Sequence, residues 1–198
     1  MGFEELFARQ RIMAILRGLP TRETVELAER AWELGIELVE VTVQTADAMP
    51  SLRAAIAAGA ERGRTVGAGT VTTVEQVTAV AEAGAGFTVA PGLDLTVLDA
   101  STEAGLPHLP GVATPSEIQL ALGHGVEWLK AFPATVLGTA WFQAMVGPFS
   151  QVKLVATGGL DTRSAPEYLA AGARAVALGS ALSDPEQVDH LAALAGGR

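Results

Sequence analysis

The sequence contains no cysteine. That absence excludes disulfide cross-links, thiol catalysis and zinc–thiolate sites together. Histidine is scarce as well. His108, His124 and His190 stand far apart, no two at a ligand spacing, so no metal site is expected. No apolar run reaches the roughly 18 residues a membrane span needs. The opening Met-Gly-Phe-Glu-Glu lacks the basic start of a secretory signal, and Leu6 stands where a myristoylation signal needs Ser or Thr. Positive charge is the minority: 13 Lys+Arg against 22 Asp+Glu give a formal charge of −9, which disfavours nucleic acid as a partner. With 49% apolar and only 18% charged residues, the chain is expected to bury a core and not to be disordered. No stretch rich in Pro, Gly or Ser exceeds a turn. The expectation is one cytoplasmic domain spanning residues 1–198, with no membrane contact.

Lysine is the scarcest common charge. Eleven of the 13 basic residues are arginine, leaving Lys130 and Lys153. An arginine bias has a neutral explanation in nucleotide composition, yet it singles out positions where arginine cannot substitute.

What is present is a repeat of short apolar runs and longer amphipathic stretches. Strands are predicted over Ile12–Leu16, Leu38–Val43, Thr65–Gly69, Phe87–Ala90, His108–Gly111, Trp128–Phe132, Lys153–Thr157 and Ala175–Gly179. Helices are predicted over Thr21–Leu34, Asp47–Glu61, Thr73–Ala83, Leu95–Glu103, Pro115–Leu122, Thr139–Val146, Ala165–Ala171 and Pro185–Leu194, with a further opening helix near Phe3–Arg9. Thr114-Pro115 with Glu117 reads as a capping box, and Gly35, Gly84, Gly105, Gly123 and Gly172 read as helix stops. Eight strand–helix units with strands apolar on both faces predict an α/β fold, a (β/α)8 TIM barrel with a short extra N-terminal helix. A doubly wound open sheet is the alternative.

In such a barrel the site lies at the carboxyl ends of the strands. Lys130 falls near the end of strand six, in Trp-Leu-Lys-Ala-Phe-Pro. Burial there would disfavour the cation, and a neutral amine at a barrel mouth can attack a ketone to form a Schiff base. The alternative is an outward lysine snorkelling between helices. Lys153 opens strand seven at the opposite end and reads as a solvated charge. On strand two, alternation puts Glu40, Thr42 and Gln44 on one face and Val39, Val41 and Val43 on the other. If the polar set faces inward, Glu40 can move protons beside Lys130; a structural ion pair, for instance with Arg17, is the other reading, and the two are compatible. Arg17 ends strand one and suits a carboxylate. Thr70 follows Gly67-Ala68-Gly69, whose small residues are expected to let a ligand approach while the hydroxyl bonds to it. Thr157-Gly158-Gly159 and Gly179-Ser180 end strands seven and eight, the habitual place for a phosphate, although tight-turn geometry alone would also place glycine there.

Ala-Ile-Leu-Arg-Gly (14–18), Glu-Val-Thr-x-x-Thr (40–45), Gly-Ala-Gly-Thr-Val (67–71), Pro-Gly-Val-Ala-Thr (110–114), Lys-Ala-Phe-Pro-Ala (130–134) and Thr-Gly-Gly (157–159) follow in order along nearly the whole chain. This set resembles the 2-keto-3-deoxy-6-phosphogluconate (KDPG) and 4-hydroxy-2-oxoglutarate (KHG) aldolase family. The resemblance implies a metal-independent aldolase with no cofactor beyond a covalent lysine imine, acting on a small keto-acid phosphate, and a homotrimer. It implies Lys130 as the Schiff-base lysine and Glu40 as the general acid/base. Arg17, Thr70, Pro91 and Phe132 would line the pyruvyl pocket, and Gly158, Gly159, Gly179 and Ser180 would hold the phosphate. Three departures stand out: Gln44 where some members carry arginine, Ala156 where proline is usual, and Ala131 beside the lysine where a bulkier residue is common. The intact Glu-Val-Thr run leans towards the gluconate epimer. KHG and the phosphogalactonate epimer are alternative substrates. A barrel isomerase or sugar-phosphate synthase using Glu40 as base, or a non-catalytic assembly protein on the same scaffold, are the alternatives of another class.

Overall fold

The structure is a computed structural model that describes residues 2–8 and 10–179 together with 182, 184, 186, 187, 190, 191 and 194. Ser180, Arg9 and part of the helix expected over Pro185–Leu194 lie outside the described residues.

Every predicted strand forms. In chain order they are β1 (Ile12–Leu16), β2 (Leu38–Thr42), β3 (Val66–Gly69), β4 (Thr88–Val89), β5 in two halves (His108–Leu109 and Gly111–Val112), β6 (Trp128–Ala131), β7 (Lys153–Thr157) and β8 (Ala175–Leu178). Pro110 separates the halves of β5, because it lacks the N–H that would continue the ladder. The first half pairs with β4 and the second with β6. The Pro110 carbonyl still accepts from the Lys130 amide at 2.9 Å, and the Gly111 amide donates to Gly92 at 3.1 Å. Nine paired segments, all parallel, therefore read as eight strands in a ring, with β8 between β1 and β7. This is the (β/α)8 barrel, and the open sheet is set aside.

Side-chain alternation divides the core in two. Ile12, Ala14, Leu16, Val39, Val41 and their equivalents face the surrounding helices. Met13, Ile15, Leu38, Phe87, Val89, Leu109 and Val155 fill the barrel, where they meet Phe3, Leu6 and Phe7. The opening helix α1 (Phe3–Leu6) is thus a plug. Phe7 stacks on Trp128 at 5.0 Å between ring centroids, and Phe3 meets the edge of Phe87 at 5.6 Å.

The outer helices are α2 (Thr21–Glu33), α3 (Met49–Glu61), α4 (Val74–Glu82), α5 (Leu95–Glu103), α6 (Pro115–Gly123), α7 (Ala134–Leu137), α8 (Thr139–Val146) and α9 (Ala165–Ala170). The capping box at α6 forms: the Thr114 hydroxyl accepts from the Glu117 amide at 3.3 Å, and the Glu117 carboxylate accepts from the Thr114 amide at 2.9 Å. Gly35, Gly84, Gly105 and Gly172 follow their helices with positive φ. Gly123 does not stop α6; it is the last helical residue, and Gly125 takes the left-handed conformation at φ 75°. The one-turn α7 was not expected from the sequence.

His108, at the start of β5, is buried and bonded through Nδ1 to the Thr88 hydroxyl at 2.8 Å, with Nε2 unpartnered among the described residues. Burial pushes its pKa down to about 4. The unfolded chain takes up a proton near pH 6.5 that the fold refuses until about pH 4, so stability is lost as pH falls through that window. His108→Asn, which keeps a polar atom near Thr88, is expected to lose less stability on acidification, by about 3 kcal/mol at pH 4. Urea unfolding midpoints across that range measure it, and identical losses in parent and variant would contradict it.

Candidate active site

A cavity of about 620 Å³ opens at the carboxyl ends of the strands, lined in part by Arg17, Thr70, Pro91, Lys130, Phe132, Gly158, Gly159 and Gly179. Every sequence-predicted site residue among the described ones lies on this wall except Glu40, which is fully buried. Ile15, Leu19, Thr157, Leu160, Asp161 and Ala177 complete the lining.

Lys130 comes from β6, whose neighbours are Gly111 on one side and Val155 on the other. Alternation turns Leu129 and Ala131 towards the helices and Lys130 into the barrel, where it is 1% exposed. The snorkelling alternative is thereby set aside. Burial holds its amine below the ordinary lysine range; Glu40 opposes that shift and Arg17 adds to it. Its Nζ lies 5.0 Å from the centroid of the Phe132 ring.

Glu40 faces the same interior from β2 and is fully buried. Neither carboxyl oxygen has a hydrogen-bond partner among the described residues. No ion pair joins it to Arg17 among them. Burial raises its pKa, against the attraction of Lys130 and Arg17. Both members of the buried pair are thus driven towards their neutral forms.

The glycines of β3 explain how a carboxyl fits here. A Cβ at Gly69 would overlap the Glu40 carboxyl group, and one at Gly67 would overlap the Phe87 ring. Room expected for an approaching ligand is occupied by the protein's own side chains. Gly111 is small for a similar reason, since its Cβ would collide with the Pro91 carbonyl.

Thr70, next along the chain, holds φ at 60°. A β-branched residue in that region carries strain on the order of 1–3 kcal/mol. The turn puts Thr70 on the cavity wall.

After β7 the turn carries Gly158 at φ 103° and Gly159 at φ 77°, so tight-turn geometry and cavity lining hold together. Gly179 differs. Among the described residues its Cβ would meet nothing nearer than the Ile15 carbonyl at 4.0 Å. Sequence reasoning missed Asp161, whose position two residues beyond Gly159 was the available signal. Its carboxylate accepts from the Ser164 amide and hydroxyl, both at 2.7 Å, and from the Arg163 amide at 3.1 Å. These bonds, led by those from Ser164, hold its pKa low.

Gln44 does not continue the inward face of Glu40, because β2 ends at Thr42. It lies exposed, in a separate polar pocket beside Thr21, Thr24 and Asp47. Arg17 is the guanidinium on the main cavity, with no ion-pair partner among the described residues. Lys153 is remote, bridging Glu4 at 2.6 Å and Glu127 at 3.1 Å at the plugged end. Among the described residues no three His, Asp or Glu side chains gather where they could hold a metal ion, and no helix is long and apolar enough to cross a membrane.

Residues 3–194 match the profile of the KDPG and KHG aldolases. The chain belongs to that family. Among its relatives, the KHG/KDPG aldolase of Escherichia coli K12 is 41% identical over 137 residues, which cover 69% of this chain and 63% of that protein. The chain therefore spans less than two thirds of the length of the first curated relatives it matches. The 2-dehydro-3-deoxy-phosphogluconate aldolase of Treponema pallidum is 35% identical over 187 residues, covering 92% of this chain and 86% of that one. The solved KDPG aldolase of Legionella pneumophila superposes with a TM-score of 0.84 at 31% identity, over 96% of this chain and 94% of that one. That structure holds pyruvate as a covalent carbinolamine captured at low pH.

Proposed function

We propose that the protein is a class I aldolase, a carbon–carbon lyase that cleaves 2-keto-3-deoxy-6-phosphogluconate to pyruvate and glyceraldehyde 3-phosphate. The observation that carries this reading is a lysine amine on the cavity wall, buried and pushed towards its neutral form, with an equally buried carboxyl acting on it from β2. The pyruvate carbinolamine of the Legionella relative supports it.

Lys130 adds to the C2 ketone, and loss of water leaves a protonated imine. The imine draws electrons from the C3–C4 bond. Glu40, whose oxygens have no hydrogen-bond partner among the described residues, is ionised once the imine cation stands beside it and then takes the C4 hydroxyl proton through a water. The aldehyde departs, the same carboxyl relay returns a proton to C3 of the enamine, and hydrolysis frees pyruvate. The absence of Glu40 from the cavity lining suits a relay more than direct contact.

Arg17 would hold the substrate carboxylate, with Thr70, Pro91 and Phe132 around the pyruvyl unit. Gly158, Gly159 and Gly179 would present backbone amides to the phosphate, together with Ser180 from outside the described residues. KHG is the second reading, favoured by the relatives whose name covers both substrates. A homotrimer is part of the proposal, testable by the mass of the particle in solution.

Purified protein is expected to release pyruvate from KDPG in the presence of a chelator. Its kcat/KM should exceed that for the unphosphorylated analogue by about 10–100-fold, the worth of one or two charge-assisted hydrogen bonds. Equal values would remove the phosphate assignment, and kinetics on both phosphorylated epimers and on KHG choose among the substrates.

A further inference from the structure

We propose that Phe132 is itself a catalytic residue, its ring face stabilising the positive charge that develops on the Lys130 nitrogen when the imine forms. The proposal rests on the Schiff-base reading of Lys130 given above. Two observations carry it. Nζ lies over the ring, 5.0 Å from its centroid, within the range of a cation–π interaction. The ring is also seated: a Cβ on Gly158 would stand 3.0 Å from its Cδ2 and Cε2 atoms, closer than packed atoms tolerate without shifting. Gly158 therefore gives the ring its place over the amine, in addition to shaping the turn.

The chemistry requires such a partner. The neutral amine forms the Nζ–C2 bond. The C2–O bond then breaks, and the oxygen leaves as water, carrying one proton from the amine and one taken up from solvent. Nitrogen keeps one proton and a full positive charge. Ile15, Pro91 and Ala177 line the same cavity as Lys130. Of the charged groups acting on it, Glu40 attracts and Arg17 repels, while Asp161 lines the same cavity. A π face attracts the iminium strongly and the neutral amine hardly at all, so it lowers the barrier between them.

The test replaces Phe132 with mono-, di- and trifluorinated phenylalanines, which keep the ring's shape while draining its negative face. The measured quantity is the single-turnover rate of imine formation with pyruvate, trapped by borohydride across a pH series. At pH above the amine's pKa the rate is expected to fall stepwise, by up to ~30-fold for the most fluorinated ring. Towards low pH the fall should shrink, because the resting amine is then already a cation over the same ring and both states lose alike. A loss independent of pH, or no graded loss, would assign Phe132 to packing and overturn the proposal. Phe132→Leu forming imine at the parent's rate at high pH would overturn it too. Failure of the parent to trap pyruvate at all would remove the Schiff-base reading and this proposal together, whereas normal trapping with a flat fluorine series removes the proposal alone.

Discussion

Lys130→Met is expected to lower keto-acid cleavage by at least about 10³-fold, since loss of a covalent nucleophile removes the route rather than tuning it. The fold should survive. Lys130 is 1% exposed, and burial already pushes it away from its charged form, so a methionine of similar length replaces a poorly solvated amine with an apolar chain. The melting temperature should therefore stay within about 5 °C of the parent or rise. Lys153→Arg is the control. That lysine bridges Glu4 and Glu127 at the plugged end of the barrel, and its replacement should leave turnover nearly unchanged. Full activity in Lys130→Met would contradict the mechanism.

Glu40→Gln is expected to separate imine formation from proton transfer. The variant should still trap pyruvate, while turnover falls by the roughly 10²–10⁴-fold typical of a general acid/base group. Its stability should also respond differently to pH. Burial raises the carboxyl's pKa in the fold. Below the unfolded carboxyl's value of about 4.3 both states hold the proton and stability is intact. As pH rises through the folded value, the native state must ionise a fully buried group, and stability is lost. Glutamine has no such slope, so the variant's urea midpoint should decline less on raising pH. Unchanged turnover would return Glu40 to a structural role.

Much of the barrel was legible because most strands are short, largely apolar runs and several helices carry a glycine stop. Thr114-Pro115 with Glu117 names its capping box locally, and Gly35 or Gly84 names a left-handed turn. Errors arose where local signals compete. Gly123 and Gly125 are both able to end α6, and packing of the helix selects the later one. Phe132–Leu137 is too short and apolar to announce the turn of helix α7.

The site was legible to the extent that strand position and alternation determine it. Position at a strand's carboxyl end placed Arg17, Lys130 and Gly158 on one cavity. What it could not supply were contacts between strands distant in sequence. Gly67 and Gly69 look like openings for a ligand until the fold brings Phe87 and Glu40 against them. Gln44 looks inward-facing until β2 ends two residues before it. Neither fact follows from a run of letters, because each depends on register and on where a ladder stops.

The most direct test is to reduce the protein with borohydride in the presence of pyruvate and map the modified peptide by mass spectrometry. A reduced pyruvyl adduct on Lys130, absent from Lys153 and absent without pyruvate, is the predicted result. An adduct on Lys153, or none on an active protein, would contradict the account.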